Sequence, residues 1–242
     1  MDLPEGTVPL WATLCIDGRT LVIADSSHGG QIIVLDLEDS TRKTLLPADP
    51  AIDFVTADSR GRWVAFGTWG SGFFGRLRQD RIRVSGIPDV RTGQDLESNS
   101  NSLFVAFSPN GKWLVTSSGE EYHFWEVGSW KGPVHRIRKD YPVHLISPVA
   151  FAPDGKMLAI TRSPREVELL DPASGWAEIA TLQAPDPKML TWLRFSPDAS
   201  KLVATSDDVI QLWDLRLIRE RLVPMKLDWN LPPYPQAGLD RQ

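Results

Sequence analysis

Apolar residues along most of this chain come in short runs of three to six, alternating with polar ones or standing together. Turn residues separate them. Leu14-Cys-Ile-Asp-Gly-Arg-Thr-Leu-Val-Ile23, Phe107-Ser-Pro-Asn-Gly-Lys-Trp-Leu-Val115 and Phe151-Ala-Pro-Asp-Gly-Lys-Met-Leu-Ala159 show the form best. Such runs, too short for helices and bounded by Pro, Asp, Asn and Gly, predict strands joined by tight hairpins. Pro presets φ at the first central turn position, Asp or Asn bonds its own backbone, and Gly accepts positive φ. The periodicity changes only near the end. Leu215, Ile218 and Leu222 share one helical face, Arg219 and Arg221 lie elsewhere, and Pro224 ends the predicted helix. Leu227–Pro235 then reads as extended, polyproline-like chain.

Two further segments repeat the hairpin: Val55-Thr-Ala-Asp-Ser-Arg-Gly-Arg-Trp-Val-Ala65 and Phe195-Ser-Pro-Asp-Ala-Ser-Lys-Leu-Val203. Aligned on a basic residue, the five place Arg19, Arg62, Lys112, Lys156 and Lys201 at intervals of 43, 50, 44 and 45 residues. A near-constant period of this length marks a repeat architecture. Four units reach a second signature ending in an acid: Ile33-Val-Leu-Asp36, Phe124-Trp-Glu126, Leu169-Leu-Asp171 and Leu212-Trp-Asp214. In the second unit Ile82-Arg-Val-Ser-Gly-Ile87 takes that place without the acid. Each unit therefore predicts a strand, a Pro-Asp-Gly turn, a strand, a short turn, a strand ending near Trp-Asp, and a looser outer strand.

These units resemble WD40 repeats, with the Phe-Ser-Pro-Asp-Gly-Lys hairpin closest to bacterial members, over about residues 10 to 216. The resemblance implies an all-β, WD40-type β-propeller of about five four-stranded blades, a short C-terminal helix and an extended tail. Trp-Asp is intact only at Trp213-Asp214, and no repeat shows the family's Gly-His dipeptide, so blades should lean on apolar packing more than on its hydrogen-bond network. Five units are fewer than the seven blades the family usually closes. Either five close tightly or the chain is the C-terminal part of a longer propeller, and the second reading is favoured. A missing strand would leave an unpaired edge. The helix and Asp-Trp-Asn-Leu-Pro-Pro-Tyr-Pro tail are similar to the ends of many bacterial WD-repeat regions. The expected division is 1–216 for the propeller and 217–242 for helix and tail.

Composition narrows the function classes. A formal net charge of −5 argues against a duplex-binding protein. Arg76, Arg78, Arg81 and Arg83, then Lys131, Arg136, Arg138 and Lys139, read as solvated faces or as a patch for an acidic partner. The single cysteine, Cys15, excludes an intrachain disulfide and sits in an apolar run, where a buried, inert thiol is expected. Residues 1–6 carry no secretory pattern and no run of about 18 apolar residues occurs, so a cytoplasmic chain is expected.

Candidate chemistry is thin. Asp17, Asp58, Asp154 and Asp198 fall inside hairpin turns and read as turn formers. His28, His123, His135 and His144 lack zinc spacing, so no cofactor or metal is expected. The Gly-rich stretch 67–75 lacks the ending of a phosphate loop. It belongs instead to an insertion of roughly ten residues carrying Trp69, Phe73, Phe74, Arg76 and Arg78, a composition typical of binding hot spots. These side chains either pack over a neighbouring blade or anchor a partner. Trp130 and Trp176, just after third strands, and Trp229 carry the same two readings; Pro232–Pro235 is either a linker or a ligand for an aromatic groove. Trp69, Phe73, Phe74, Arg76, Arg78 and Trp130 are the candidate partner-binding residues.

The favoured function is a non-catalytic scaffold or regulatory module for protein or peptide partners, within a larger signalling or assembly system. The rival is a propeller hydrolase or lyase with acids or a metal at the channel mouth. A degenerate fragment without autonomous function is the third reading.

Overall fold

A computed structural model describes residues 6–15, 18–25, 27, 30–39, 43–47, 52, 54–67, 82–87, 93–96, 104–140, 147–185, 188–206, 208–229 and 231–234. They form five antiparallel sheets, and the chain divides into two compact units.

The first unit, Met1–Arg138 with Pro142–Leu145, holds three sheets. Sheet 1 is β1 (Pro9–Leu14), β2 (Thr20–Asp25), β3 (Gln31–Asp36) and β4 (Lys43–Pro47). Sheet 2 is β5 (Phe54–Ala57), β6 (Trp63–Gly67), β7 (Ile82–Gly86) and β8 (Gln94–Leu96). Sheet 3 is β9 (Phe104–Phe107), β10 (Trp113–Ser117), β11 (Glu121–Glu126) and β12 (His135–Arg138). The second unit, Lys139–Tyr141 with Ile146–Gln242, holds two. Sheet 4 is β13 (Val149–Phe151), β14 (Leu158–Ser163), β15 (Glu166–Asp171) and β16 (Ala177–Gln183). Sheet 5 has three strands, β17 (Trp192–Phe195), β18 (Lys201–Thr205) and β19 (Ile210–Asp214), followed at once by helix α1 (Leu215–Leu222).

Every sheet is an up-and-down meander of sequential neighbours, the order that hairpin connections produce. Sheets stack through their faces, so central strands such as β2 and β3 are buried on both sides and read as nearly unbroken apolar runs. In the first unit Val22, Ala24, Ile32 and Val34 of sheet 1 pack on Val55, Val64 and Phe66 of sheet 2. Phe54, Ala65, Ile82 and Val84 pack in turn with Phe107, Leu114 and Trp125 of sheet 3. In the second unit Ala159, Val167 and Leu169 pack on Leu193, Phe195, Leu202 and Trp213. Each large aliphatic side chain removed from water this way contributes about 1.5–3 kcal/mol. Buried Trp125 also donates from Nε1 to Thr116 Oγ1 at 3.1 Å.

The hairpin between the first two strands is the same in all five sheets. An N–H bonds the carbonyl five residues on, and its own carbonyl accepts from the residue three on: Cys15, Asp58, Ser108, Ala152 and Ser196 begin these turns. This phase corrects the sequence alignment in two places. Ser200, not Lys201, is equivalent to Lys156, because the turn keeps its length and the lysine falls one place later. Asp58 stands where Ser108 and Ser196 stand, and its carboxylate accepts from Trp63 N–H at 2.9 Å as Ser108 Oγ does from Trp113 N–H. Turn formation remains its role. The left-handed turn position is Gly18, Gly61, Gly111 and Gly155, then Ala199 at φ 58°.

Three of the acids that end third strands have a physical job. Asp36 accepts from the N–H groups of Glu38 and Asp39 and pairs with Arg19. Asp171 accepts from Ala173 N–H, and Asp214 caps α1 through Leu217 N–H. A short acceptor at a helix or turn entry satisfies donors that would otherwise lack a partner.

Candidate interaction surface

Sheet 5 leaves one of its faces open. Trp192, Thr205 and Ile210 stand opposite one another across the three strands, as do Arg194, Val203 and Leu212, so all six share a face. Turn phase makes this face the counterpart of the one through which sheet 4 packs on sheet 5. Val203 corresponds to Ala159, Leu212 to Leu169 and Ile210 to Val167, and those three sheet 4 residues are fully buried. In sheet 5 Leu212 is 51 % exposed, Ile210 75 % and Trp192 42 %. Two β-branched or leucine side chains and an indole, kept in water on a sheet face, form the kind of apolar patch that marks an interaction surface.

On the other face of sheet 5, α1 and the tail pack into the core and are locked down. Asp214 and the apolar residues Leu215, Ile218 and Leu222 seat the helix on the sheet 4/5 core. Arg219, expected away from the apolar face, is buried instead. Its Nε and Nη2 donate to Asp228 at 2.8 and 3.0 Å, Nη1 to the Pro232 carbonyl at 2.7 Å, and Nη2 to the Leu231 carbonyl at 2.6 Å. The guanidinium also lies over the rings of Trp229 and Tyr234. Five donors in a rigid fork explain why arginine serves here. The tail is therefore neither linker nor free ligand: Trp229, Leu231 and Tyr234 pack onto the core. Arg219 holds the Asp228 carboxyl below its ordinary value, and burial pushes the Tyr234 hydroxyl up to about 12. A groove of about 290 Å³ lies beside the clasp, walled by Asp154, Met157, Asp198, Pro233 and Tyr234.

The remaining polar clusters close on themselves. Glu121 accepts from Arg138 Nε at 3.2 Å and lies 3.1 Å from His123 Nε2; these contacts hold it below the usual carboxylate range. Asp25, fully buried, accepts from Val8 N–H, Ser27 and Gln31; despite the opposing effect of its burial, these bonds bring it to about 2. Arg162 bridges Asp140 and Glu168. Lys139, in the second unit, donates to Ser147 Oγ at 2.6 Å; both are buried, and burial pulls the ammonium down to about 7. Among the described residues no group of three or more His, Cys, Asp or Glu could hold a metal. Nor is any helix long and apolar enough to cross a membrane.

Of the predicted partner-binding residues, Trp69, Phe73, Phe74, Arg76 and Arg78 lie outside the described residues. Trp130 is described and 7 % exposed. It packs edge-on to Trp63 at 5.3 Å in the core between sheets 2 and 3, and its carbonyl accepts from Gln94 Nε2. Its backbone takes a left-handed φ of 48°, as does that of buried Trp176, its counterpart in sheet 4, at 71°. The loops after the third strands thus turn an indole inward, the core-covering alternative for both. The exposed face of sheet 5 was missed by sequence reasoning. The repeat count raised the possibility of an open ring, and it did not say which sheet face would stand uncovered.

The WD domain, G-beta repeat family (WD40) matches residues 93–125 and 176–214. Both matches begin beside or at an outer strand, β8 or β16, and run through the three strands of the following sheet, so the sequence repeat is staggered by one strand against the sheet. No curated protein matches the sequence. Among solved structures, a chain in "Crystal Structure of Mitotic Checkpoint Complex" superposes with a TM-score of 0.65 at 18 % identity, covering 88 % of this chain and 63 % of that one. At that identity the likeness speaks for fold alone, and this chain spans less than two thirds of its neighbour. WD40 propellers as a class mediate protein–protein contacts and are generally non-catalytic. The two WD40 repeat matches, the five meander sheets and this fold likeness together show a fold of WD40-type β-propeller class with about five blades.

Proposed function

We infer that this chain is a non-catalytic module that holds other proteins, a scaffold or regulatory part of a larger signalling or assembly system in the cytoplasm. One observation carries the reading: blade 5 keeps in water an apolar face whose counterpart in blade 4 is wholly buried. A face of this kind gains free energy by covering, at about 25 cal/mol per Å² of apolar surface removed from water. Trp192 and Arg194 on it belong to the residue types enriched at binding hot spots. The described carboxylates support the same reading: Glu121, Asp140 and Glu168 are paired with cations, and Asp25 accepts from Val8, Ser27 and Gln31. The insertion residues Trp69, Phe73, Phe74, Arg76 and Arg78 are proposed as a second anchor on composition alone, and the partners as proteins or peptides.

Affinity capture from the native source tests this, comparing wild type with Ile210→Asp/Leu212→Asp and with Phe73→Ala/Phe74→Ala. Loss of specific partners in the first variant is the expected result. An unchanged partner set in both variants refutes the reading.

A further inference from the structure

The groove beside the Arg219 clasp lies wholly within the second unit, walled by the first hairpins of blades 4 and 5 and by the tail. Its two carboxylates stand at equivalent positions. Asp154 and Asp198 are each the third residue of their turn, counted from Ala152 and Ser196. The turn itself does not require an acid there. The same position is Arg60 in blade 2 and Asn110 in blade 3. Asn110 Oδ1 accepts from Lys112 N–H at 2.9 Å, as Asp154 Oδ1 accepts from Lys156 N–H at 3.0 Å. An amide serves the backbone as well as a carboxylate does, so the charge at 154 is surplus to turn formation.

The polar groups around this groove are rich in acceptor capacity. Among the described residues Asp154 Oδ2 meets Lys156 Nζ at a loose 3.8 Å, with both side chains about half in water. Asp198 accepts from Ser196, Ser200 and Arg216. These bonds, that of Ser196 foremost, hold it at about 2, so it stays ionised. The Tyr234 hydroxyl reaches Met157 Sδ at 3.9 Å, a weak acceptor, and its oxygen keeps the capacity to accept. Burial first, then the charges of Asp154, Asp228 and Asp198, raise that hydroxyl, so all three carboxylates reach it through space. Between the polar groups the walls are apolar, from Met157, Ala199, Leu231 and Pro233.

We propose that this groove takes one arginine side chain of a protein partner, its stem along the apolar wall and its guanidinium shared between Asp154 and the Tyr234 hydroxyl. A volume of about 290 Å³ sits at the small end of the range for ligand pockets, about 300–1,000 Å³, which suits a single side chain. A guanidinium brings donors only, in a flat and weakly hydrated fork, whereas an ammonium is compact and strongly hydrated. Its methylene stem buries readily on apolar surface while the charged head stays near water. A net charge of −5 favours the approach of a basic segment. The proposal shares no residue with the open face of blade 5 and goes beyond it, naming a second surface and the chemistry it recognises.

The test uses the full chain with isotope-labelled methionine methyl groups, the Met157 resonance being identified from a Met157→Leu sample. N-acetylarginine amide should move that resonance with about millimolar affinity. N-acetylcitrulline amide, close in shape but uncharged, should not. Asp154→Asn should weaken binding about threefold to fivefold, the size of a partly exposed ion pair, with the other methionine resonances unmoved as the check on folding. Tyr234→Phe keeps the ring beside Arg219 and should weaken binding as well. Free L-arginine, whose carboxylate the two acids repel, should bind no better than the capped amide. A Met157 resonance that ignores the arginine probe, an equal response to citrulline, or an affinity indifferent to Asp154→Asn overturns the proposal. Tighter binding of free L-arginine than of the capped amide overturns the protein partner in favour of a small molecule. None of these results bears on blade 5, whose own test is capture with Ile210→Asp/Leu212→Asp.

Discussion

Replacing Arg219 by methionine keeps most of the side chain's length and apolar packing while deleting the guanidinium that ties the tail to blades 4 and 5. The substitution removes two bonds to Asp228 and those to the carbonyls of Leu231, Pro232 and, at 3.3 Å, Trp229. A buried ion pair that loses one partner costs about 3–5 kcal/mol when both groups are dry. Asp228 keeps 24 % of its side-chain surface in water, so part of its solvation returns, and the expected loss is about 2–4 kcal/mol. In a unit of roughly 100 residues each kcal/mol moves the melting temperature by about 4–8 °C, so the shift is large and easily read. Urea titration followed by tryptophan fluorescence is a suitable assay, because Trp229 lies against the lost cation. Asp228→Asn should cost less, and the double variant should lose less than the two single losses together, because each single change already breaks the same pair. The pH dependence fixes the sign. Asp228 is held below its unfolded value, so its contribution is complete above about pH 4 and disappears as pH falls through the folded value. The gap between wild type and Arg219→Met should therefore narrow in acid. A loss under about 1 kcal/mol, or a gap that is constant from neutral pH into acid, would refute the clasp.

Other perturbations test separate parts of the account. Lys139 is pulled down to about 7 by burial, so the unfolded chain binds the extra proton between that value and the ordinary lysine value of 10.5; stability should rise with pH across this window, and Lys139→Met should flatten the rise in urea midpoints. Gly111→Ala should destabilise by about 1–2 kcal/mol in thermal melts, and by more than Gly18→Ala. Both glycines have positive φ, but only at Gly111 would the new methyl meet a side chain, Ser59 Oγ at 3.2 Å. Thr116→Val should cost about 1–3 kcal/mol by leaving the buried Trp125 indole N–H without its acceptor, and Trp125→Phe in the same background should add little through that bond.

The repeat was legible because its turns are local chemistry: Pro-Asn-Gly and Pro-Asp-Gly fix their own backbone whatever surrounds them, and the strands on either side follow. The alignment slipped by one residue in the last repeat, where Ala199 replaces the glycine that punctuates the others and Lys201 mimics a residue one position away, and it grouped Asp58 with acids that stand two places further into their turns. The helix after Asp214 was also readable from its 3.6-residue spacing. Arg219 was misplaced because a charged residue on an apolar helical face looks like noise until its partner appears; Asp228 is nine positions on, beyond any local pattern. Trp130 illustrates the other limit. A tryptophan after a third strand can face the core or the solvent, and the choice depends on Trp63 and on a left-handed backbone angle that composition does not encode. The open face of blade 5 depends on whether another sheet stacks on Ile210 and Leu212, a packing relation that the local pattern of β19 does not encode.

The central claim, that blade 5 presents a protein-binding face, is tested most directly by placing a photo-crosslinking amino acid at position 192 of the full chain and irradiating it in its native extract, with position 193 as the buried control. The account predicts crosslinked protein adducts from 192 that vanish with Ile210→Asp/Leu212→Asp. Irradiation that leaves the 192 derivative as free chain, no more adducted than the 193 control, would contradict it.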